Sequence, residues 1–203
     1  MDARVAVLAS GEGTNLQALL DDPVVARNIA LVVSDNPEAR VLGRAEEYGV
    51  KTAIIEPTSY PDREAYDSAL LSLLKEEEIR FVVLAGFMRM LGPELVAAFT
   101  GRMLNIHPSV LPAFPGTDAI GDALDWGARV TGVTVHLVDD QMDHGPIVLQ
   151  ESLPIFRTDD RDSLEPRIHE LEHRLYRVAV RAMIEGRLEV SGRHVTILES
   201  APR

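Results

Sequence analysis

Short runs of apolar residues recur along the first hundred positions, and they are continuous rather than alternating with polar residues. Continuous runs rich in Val, Ile and Leu are typical of strands that are buried on both faces of a parallel sheet. The runs that we predict to be strands are Val5–Ala9, Ile29–Val33, Ala53–Ile55, Phe81–Ala85 and Met103–Ile106.

The segments between these runs have apolar residues at the 3.6-residue period of an α-helix. In the longest of them Ala65, Ala69 and Leu73 share one helical face, and Pro61 precedes the first turn. The predicted helices are Asn15–Leu20, Glu38–Tyr48, Asp62–Glu78 and Pro93–Phe99. Strands that alternate with helices at this spacing predict βαβ units and a parallel sheet.

After Gly116 the pattern changes to longer extended segments and one long charged helix. We predict, in order, a helix at Ala119–Trp126, strands at Val130–Val138 and Ile147–Pro154, a helix at Asp160–Glu185 and a hairpin turn at Ser191-Gly192. The predicted fold class is α/β, with an open, doubly wound and mostly parallel sheet. We assign residues 1–203 to a single domain, with a Rossmann-like half at 1–100 and a mixed half at 101–203.

The composition narrows the class of partner. The 203 residues include no cysteine, which excludes disulfides and thiol chemistry and is typical of a reducing compartment. The formal net charge of −12 disfavours a nucleic acid partner, because phosphate backbones attract basic surfaces. No apolar run is long enough to span a membrane, and no signal-type segment opens the chain. We therefore expect a cytoplasmic protein that acts on small molecules, and the sequence leaves a homodimer open.

A glycine-rich turn, Gly11–Asn15, follows the first predicted strand and opens a helix. Backbone N–H groups and a helix N-terminus can converge there on a phosphate. A dinucleotide fingerprint would place a third glycine where Leu16 stands, although Asp35 could still contact a ribose. Three interpretations of this segment are open: it binds the phosphate of a small substrate, it binds a dinucleotide, or it is merely a tight turn.

The segment NIHPSVLPAFPG, residues 105–116, holds an amide and an imidazole at the end of an apolar strand. Asn105 and His107 are two positions apart in extended chain, so their side chains point to the same face of the sheet. Three prolines restrict the loop that follows. A side-chain amide beside an imidazolium forms a donor pair suited to a developing oxyanion. The alternative is a pair that serves local structure alone.

A second polar segment, GVTVHLVDDQMDHGP, ends an extended run with Asp139, Asp140 and Asp143, just before His144. A carboxylate beside an imidazole favours the charged ring and raises its pKa. A solvated acidic turn and a hard-cation site built from the three aspartates are the alternatives.

Four segments, in this order and spacing, resemble the glycinamide ribonucleotide formyltransferase family: GEGTNLQALL, FMRML, NIHPSVLPAFPG and GVTVHLVDDQMDHGPIVLQ. The resemblance covers almost the whole chain. It implies transfer of a formyl group from the co-substrate 10-formyltetrahydrofolate to glycinamide ribonucleotide in purine synthesis. It also implies that Asn105, His107 and Asp143 are the catalytic residues.

The resemblance implies two further sets of positions. Those for the ribonucleotide phosphate and the glycinamide are Gly11, Gly13, Thr14, Asn15, His169 and Glu172. Those for the folate are Arg63, Met88, Arg89, Met90, Leu91, Asn105, Asp139, Asp140 and Asp143.

The chain departs from the family pattern at two places. Many relatives have a second glycine where His144 stands, and a histidine in the region of Thr117–Ile120, where this chain has none. Both departures bear on loop geometry and on folate-tail contacts rather than on the catalytic positions.

Other formyl enzymes share the Asn/His/Asp core. The acidic charge disfavours the one that acts on methionyl-tRNA. A first strand that starts within the opening residues disfavours the hydrolase, which carries an N-terminal regulatory domain. A dinucleotide-binding oxidoreductase or a non-catalytic nucleotide-binding module is an alternative from a different class.

The last predicted helix contains His169-Glu-Leu-Glu-His173, which fits the zinc-protease pattern H-E-x-x-H. No third ligand follows at metzincin spacing, and the apolar positions Ile168, Leu171 and Leu175 leave both histidines toward the polar side. We therefore expect no metal there. Glu172 lies at the edge of the apolar face, where a carboxylate could meet a substrate ammonium.

Overall fold

The structure is a computed structural model, and it describes residues 3–199. The chain divides into two compact units, residues 1–104 and residues 105–203. The strand Met103–His107 crosses this boundary, so that Asn105 and His107 open the second unit. The single domain with halves at 1–100 and 101–203 stays a prediction.

The first unit consists of parallel strands connected by helices. Its strands are β1 (Val5–Leu8), β2 (Ile29–Ser34), β3 (Lys51–Ile54) and β4 (Phe81–Leu84). Their order is β3-β2-β1-β4, and these neighbours pair in parallel. The helices are α1 (Thr14–Leu20), α2 (Pro23–Ala26), α3 (Arg40–Glu47), α4 (Arg63–Glu76) and α5 (Pro93–Ala98), with a 3-10 turn at Pro57–Ser59. Parallel strands end at the same edge, so the turns that follow β1, β2 and β4 emerge together.

Local differences from the predicted elements have physical reasons. β3 lies at the edge of the sheet, and its side chains are exposed or half-buried instead of buried on both faces. α2 is too short to show a helical period. It forms because the Asp22 side chain accepts hydrogen bonds from the N–H groups of Val24 and Val25, while Pro23 occupies the first helical position.

The second unit contains the end of β5 (Met103–His107), long antiparallel strands, a long helix and a C-terminal hairpin. Its further elements are α6 (Ala119–Asp125), β6 (Val130–Leu137), β7 (Ile147–Pro154), α7 (Arg161–Ile184), β8 (Leu188–Ser191) and β9 (His194–Ile197). The strand order is β5-β6-β7-β9-β8. β6 and β7 pair antiparallel, as do β8 and β9, whereas β7 and β9 pair in parallel. Helix α7 packs on β6 and β7, and its buried face includes Leu164, Ile168 and Leu175.

The predicted fold class is confirmed: an α/β chain with a parallel first part and a mixed second part. Over residues 3–199, none of the helices has the length and apolar character that crossing a membrane requires.

Candidate active site

Asn105, His107 and Asp143 converge within the second unit. The Asn105 amide nitrogen Nδ2 lies 3.5 Å from Asp143 Oδ1, and His107 Nδ1 lies 3.6 Å from Asp143 Oδ2. The His107 and Asp143 side chains are only 5% and 9% exposed. The two-residue spacing on β5 thus brings both side chains to one carboxylate, which the loop between β6 and β7 supplies. Their catalytic role stays a prediction.

The His107 ring lies between two acceptors. Its Nε2 is 2.8 Å from the carbonyl oxygen of Phe114 and donates to it, because a carbonyl can only accept. Nδ1 faces Asp143, so a ring protonated at both nitrogens satisfies the carbonyl and the carboxylate together. Donation from this ring to a substrate oxygen would have to replace one of these two contacts.

The proline-containing loop after β5 is fastened to the strands beside it. The buried Thr134 hydroxyl of β6 donates to the carbonyl of Ser109 at 2.7 Å and accepts from the Leu111 N–H at 3.1 Å. Gln150 of β7 donates from Nε2 to the carbonyl of Leu111 at 2.8 Å. These bonds join the loop to two strands, in addition to the stiffness that its prolines give.

His136 belongs to the same cluster, although the sequence pattern does not single it out. It is buried on β6, and its Nδ1 donates to the carbonyl of Leu137 at 2.9 Å. Its Nε2 lies 3.2 Å from Asn105 Nδ2 and 3.8 Å from Asp143 Oδ1. The neutral ring therefore accepts from the amide, whereas the charged ring faces the carboxylate. The available signal was a histidine inside an alternating apolar strand.

The surroundings of Asp143 favour its charged form. Burial raises the pKa of this carboxyl group, but the ring of His136, the N–H group of Gly116 and the charge of His107 together lower it by more. The Gly116 N–H, at the far end of the proline-containing loop, donates to Oδ2 at 2.8 Å. The net pKa lies below the ordinary value of 3.8, so Asp143 is a carboxylate at neutral pH.

The loop between β6 and β7 is tightly folded around Asp143. The φ angle of Asp143 is 50°, a left-handed conformation that aspartate tolerates better than most residues. The Leu137 N–H donates to the carbonyl of Pro146 at 2.9 Å and closes the base of the loop. A Cβ atom on Gly145 would overlap the carbonyl group of Leu137, so only glycine fits there.

The other acidic residues of this loop have partners within it. Asp139 Oδ1 accepts from the Gln141 N–H at 3.0 Å, and Asp139 Oδ2 lies 2.7 Å from His144 Nδ1. Asp140 is exposed. In the part of the chain that the structure describes, no three His, Asp or Glu residues are grouped so that they could hold a metal ion. The arrangement gives the hard-cation alternative no support.

In the first unit, α1 begins after a glycine that no other residue could replace without strain. Gly13 has a φ of 75°, and a Cβ there would lie 2.8 Å from Cα of Val41. α3 holds the turn in place, since the Val41 N–H donates to the carbonyl of Gly11 at 3.1 Å. Arg44 Nε donates to the carbonyl of Glu12 at 2.7 Å.

The start of α1 has no side-chain cap within residues 3–199. Its first turn contains Thr14 and Asn15, and the leading N–H groups of a helix have no partner within it, which suits an anion. Asp35, which a dinucleotide would place on its ribose, pairs with Arg89 Nε at 2.9 Å. The predicted phosphate contact is compatible with this geometry.

The predicted folate segment lines a cavity of about 350 Å³ in the first unit. The lining residues are Pro57, Tyr60, Asp62, Arg63, Tyr66, Met88, Arg89 and Met90. Met88 and Met90 are 62% and 50% exposed, so this stretch is not a segment of the buried core. Leu91 is half-buried and lies outside this lining.

Charged and polar groups border the cavity. Arg63 Nε lies 3.3 Å from Asp67 Oδ2, and Arg89 stacks over the ring of Tyr66 at 5.6 Å. The Tyr66 hydroxyl is buried and has no hydrogen-bond partner within residues 3–199; burial raises its pKa, and the charge of Asp35 raises it further. Exposed thioethers beside arginine side chains suit a flat ligand with an anionic end.

His169 and Glu172 lie one turn apart on α7. Glu172 is 5% exposed, and its charge contributes, after burial, to the raised pKa of the fully buried Tyr176. His169 is half-buried, with Nε2 3.9 Å from Glu165, and its ring stacks on that of His173 with centroids 6.3 Å apart. A buried carboxylate of this kind favours a cationic partner.

The predicted positions fall into two sets. The glycine turn and the cavity belong to the first unit. The cluster around Asp143, together with Asp139, Asp140, His169 and Glu172, belongs to the second unit.

Comparison with known proteins gives one consistent family. Residues 3–180 match the family described as formyl transferase. A phosphoribosylglycinamide formyltransferase of Mycobacterium tuberculosis is 44% identical over 96% of this chain and 94% of its own length. The Bacillus subtilis enzyme of the same name is 41% identical over 89% of this chain and 94% of its own length. The crystal structure of glycinamide ribonucleotide transformylase 1 from Symbiobacterium toebii superposes with a TM-score of 0.93 and 45% identity, covering 97% of this chain and 94% of that one.

Proposed function

Because the chain belongs to the formyl transferase family, whose match covers residues 3–180, we propose that it formylates glycinamide ribonucleotide. The formyl donor is the co-substrate 10-formyltetrahydrofolate, and the reaction is a step of purine biosynthesis in the cytoplasm. Relatives named for this activity align over 94% of their own length, which supports carrying the activity to this chain.

The chemistry defines what the protein must supply. The glycinamide amine attacks the formyl carbon, which is bonded to N10 of the folate, and the carbonyl oxygen becomes an oxyanion. Collapse of the tetrahedral intermediate forms the new amide and breaks the bond to N10. One proton moves, in net terms, from the amine nitrogen to N10. The site therefore needs donors at the formyl oxygen and a base that can pass on a proton.

Asn105, His107 and Asp143 meet these needs. The amide of Asn105 and the charged ring of His107 stabilise the oxyanion, and ionised Asp143 transfers the proton through a water molecule. The donor nitrogens of Asn105 and His107 lie 3.5 and 3.6 Å from the carboxylate oxygens of Asp143. As negative charge develops on the formyl oxygen, this oxygen accepts an N–H from each donor in place of the carboxylate. This convergence on one carboxylate is the observation that carries the proposal.

His136 orients the amide of Asn105. In its neutral form the ring accepts a hydrogen bond from Asn105 Nδ2 at 3.2 Å. That bond fixes which end of the amide is the donor end. A second amide hydrogen is then left for Asp143 or for the substrate oxygen.

The ribonucleotide is assigned to two regions. Its phosphate binds the uncapped start of α1 and the turn before it, through Gly11, Gly13, Thr14 and Asn15. The glycinamide amine binds beside His169 and the buried carboxylate of Glu172. Support comes from charge: a helix N-terminus attracts the anion, and a buried carboxylate attracts the ammonium, which releases one proton to solvent before the neutral amine attacks.

The folate is assigned to apolar and acidic positions. The cavity in the first unit offers Met88 and Met90 to the flat ring system and Arg63 and Arg89 to the carboxylates, with Leu91 adjoining. In the second unit, Asn105, Asp139, Asp140 and Asp143 are the positions assigned to polar groups of the folate.

A direct assay tests the reaction. Purified protein is mixed with a 10-formyl folate and glycinamide ribonucleotide, and deformylated folate is followed by absorbance. Product that appears only with the ribonucleotide present is expected. Product formed in its absence would identify a hydrolase and overturn the proposal.

Substitution of Asp143 tests the assigned roles. We expect Asp143→Asn to lower kcat by about 10²–10⁴, because the variant keeps the acceptor for Gly116 but loses the proton-transferring carboxylate. His107→Ala should lower kcat by about 10²–10³ through loss of one oxyanion donor. Asp125→Asn, at an exposed position of α6, is the matched control. Near-normal turnover in a folded Asp143→Asn variant would refute the assignment.

Thermal shift measurements separate this function from the dinucleotide alternative. A ligand that binds the native state raises Tm, so glycinamide ribonucleotide should raise it and NAD(P) should not. The carboxylate of Asp35, which a ribose would need, already pairs with Arg89 through its Oδ2 atom.

A further inference from the structure

An arginine of the C-terminal hairpin contacts the loop that carries Asp143. Arg193 lies between β8 and β9, and its Nη2 donates to the carbonyl oxygen of His144 at 2.7 Å. Its Nη1 lies 3.4 Å from Nε2 of the same histidine. His144 directly follows Asp143, so the guanidinium binds the main chain one residue after the residue that carries the catalytic carboxylate.

One protonation state of His144 satisfies all of its contacts. Arginine can only donate, so Nε2 accepts from Arg193, and the proton of the neutral ring is on Nδ1. Nδ1 then donates to Asp139 Oδ2 at 2.7 Å. A single histidine thus connects the hairpin with the beginning of the loop.

The pairing of β9 with β8 and with β7 places Arg193 beside His144. Ser191 pairs with His194 across the turn, and His194 pairs with Ile147, the first residue of β7. Arg193 therefore lies beside the point where the loop re-enters the sheet. It also lies beyond residues 3–180, the segment that matches the family.

The loop needs such a contact because its backbone is unusual at the functional position. Asp143 has a positive φ of 50°, and such conformations persist only where the surroundings hold them. The bond between Leu137 and Pro146 closes the base of the loop but does not reach Asp143. The contacts of His144 act next to it. Each is partly exposed, with the His144 side chain 47% accessible, so their effect depends on acting together.

We propose that Arg193 is a positioning residue for Asp143 and acts through His144. It keeps the carboxylate at the distance from Asn105 and His107 at which a proton can be passed on during formyl transfer. The inference rests on the proposed function for its kinetic readout, and it requires no contact between Arg193 and either substrate.

Kinetics of hairpin variants test the inference. We expect Arg193→Ala to lower kcat/KM for the folate about three- to tenfold, the size of one lost, partly exposed hydrogen bond. KM for the ribonucleotide should stay within about twofold, because the assigned phosphate contacts lie elsewhere. Arg193→Lys, which keeps a cationic donor, should recover part of the loss. Arg157→Ala, at an exposed position before α7, is the control.

A double variant tests whether the effect passes through His144. His144→Ala should show a loss similar to that of Arg193→Ala, and the combined variant should lose little more, since both changes break the same chain of contacts. Fully additive losses would overturn the proposed route.

Amide hydrogen exchange separates this inference from the proposed function. Faster exchange at residues 139–146 in Arg193→Ala, with the rest of the second unit unchanged, supports the positioning role even if the assay detects no formyl transfer. Unchanged exchange in the loop together with unchanged kinetics would overturn it. Faster exchange spread across β8 and β9 with unchanged kinetics would show a structural role alone, and would also overturn it.

Discussion

At Asp143 the ionisation state is decided by a few neighbours. Burial alone would favour the neutral acid, yet the carboxylate accepts from the Gly116 N–H and faces the rings of His107 and His136. Two of these partners come from β5 and the loop after it, and the third from β6. The charge of the residue is therefore a product of how the second unit folds.

The depressed pKa of Asp143 predicts how stability depends on pH. The folded-state pKa lies below the ordinary value of 3.8, so the carboxylate stabilises the fold above about pH 4, and this contribution is lost as the pH falls through the folded value. Asp143→Asn should therefore flatten the acid-side decrease in the free energy of unfolding. Urea titrations between about pH 3 and about pH 7 measure this, with exposed Asp140→Asn as control. An unchanged slope in Asp143→Asn would contradict the cause assigned here.

The sequence predicts some residues of the cluster better than others. The shared orientation of Asn105 and His107 follows from strand periodicity, because side chains two positions apart in a strand point to the same face of the sheet. His136 could not be predicted in this way. It lies in an apolar alternating strand, and its role depends on Asn105, 31 positions away. The pairing of β6 with β7 also shifts register between Val135 and His136, a local irregularity that no periodicity reveals.

Among the elements, the loop after β5 contains three prolines, but its position on the sheet depends more on the hydroxyl group of Thr134. Thr134 serves as an acceptor for the Leu111 N–H and as a donor to the Ser109 carbonyl, and it is fully buried. Prolines narrow the unfolded ensemble of the loop, whereas Thr134 determines where the folded loop lies on the sheet.

Thr134→Val should therefore destabilise the protein by about 1–3 kcal/mol, because it leaves a buried N–H and a buried carbonyl without a partner. Thr131→Val on the same strand is a matched control, since the Thr131 hydroxyl is buried without a partner within residues 3–199. That control should be neutral or stabilising by up to about 1 kcal/mol. Urea unfolding of both variants makes the comparison, and equal destabilisation would refute it.

The glycine turn gives a similar contrast at the start of α1. Gly13→Ala should destabilise by more than about 1 kcal/mol, because it combines a positive φ with a methyl group 2.8 Å from Val41. Gly11→Ala meets no heavy atom within 4 Å and should change the unfolding free energy little. Thermal or urea unfolding decides between them. Equal stability of the two variants would mean that the turn relaxes.

Helix ends show where sequence reasoning succeeds at this scale. The predicted helices begin at Asp62 and Asp160, and in the structure both residues are N-caps, one residue outside the helix. The error is small because a capping aspartate marks the start of the helix in the sequence as well as in the structure. The sequence pattern does not predict α2, because a helix of four residues is too short to show the 3.6-residue period.

On the scale of the whole molecule, the formal net charge of −12 predicts that the protein does not bind nucleic acids. We expect no retardation of a duplex DNA fragment in gel shift experiments at about 150 mM salt, because no counterion release would drive binding. Single-stranded RNA should behave likewise. Binding that weakens steeply with added salt would show a basic surface patch that the net charge conceals.

The overall architecture was predictable because it follows from period and burial. Continuous apolar runs indicated parallel strands, and the longer extended segments after Gly116 indicated a mixed second part. The contacts around Asp143 were not predictable from the period, because Asp143, His136 and Gly116 meet through tertiary folding. The contact between Arg193 and His144 is of the same kind.

The left-handed backbone at Asp143 has an evolutionary consequence. Among residues with side chains, aspartate and asparagine enter this conformation most readily, and only the first of them is an acid. Drift toward glutamate would have to add a methylene and accept an unfavourable main chain in the same event. The backbone conformation of this one residue thus restricts substitution: a single change can remove the charge, but few changes can keep the charge and alter the side chain.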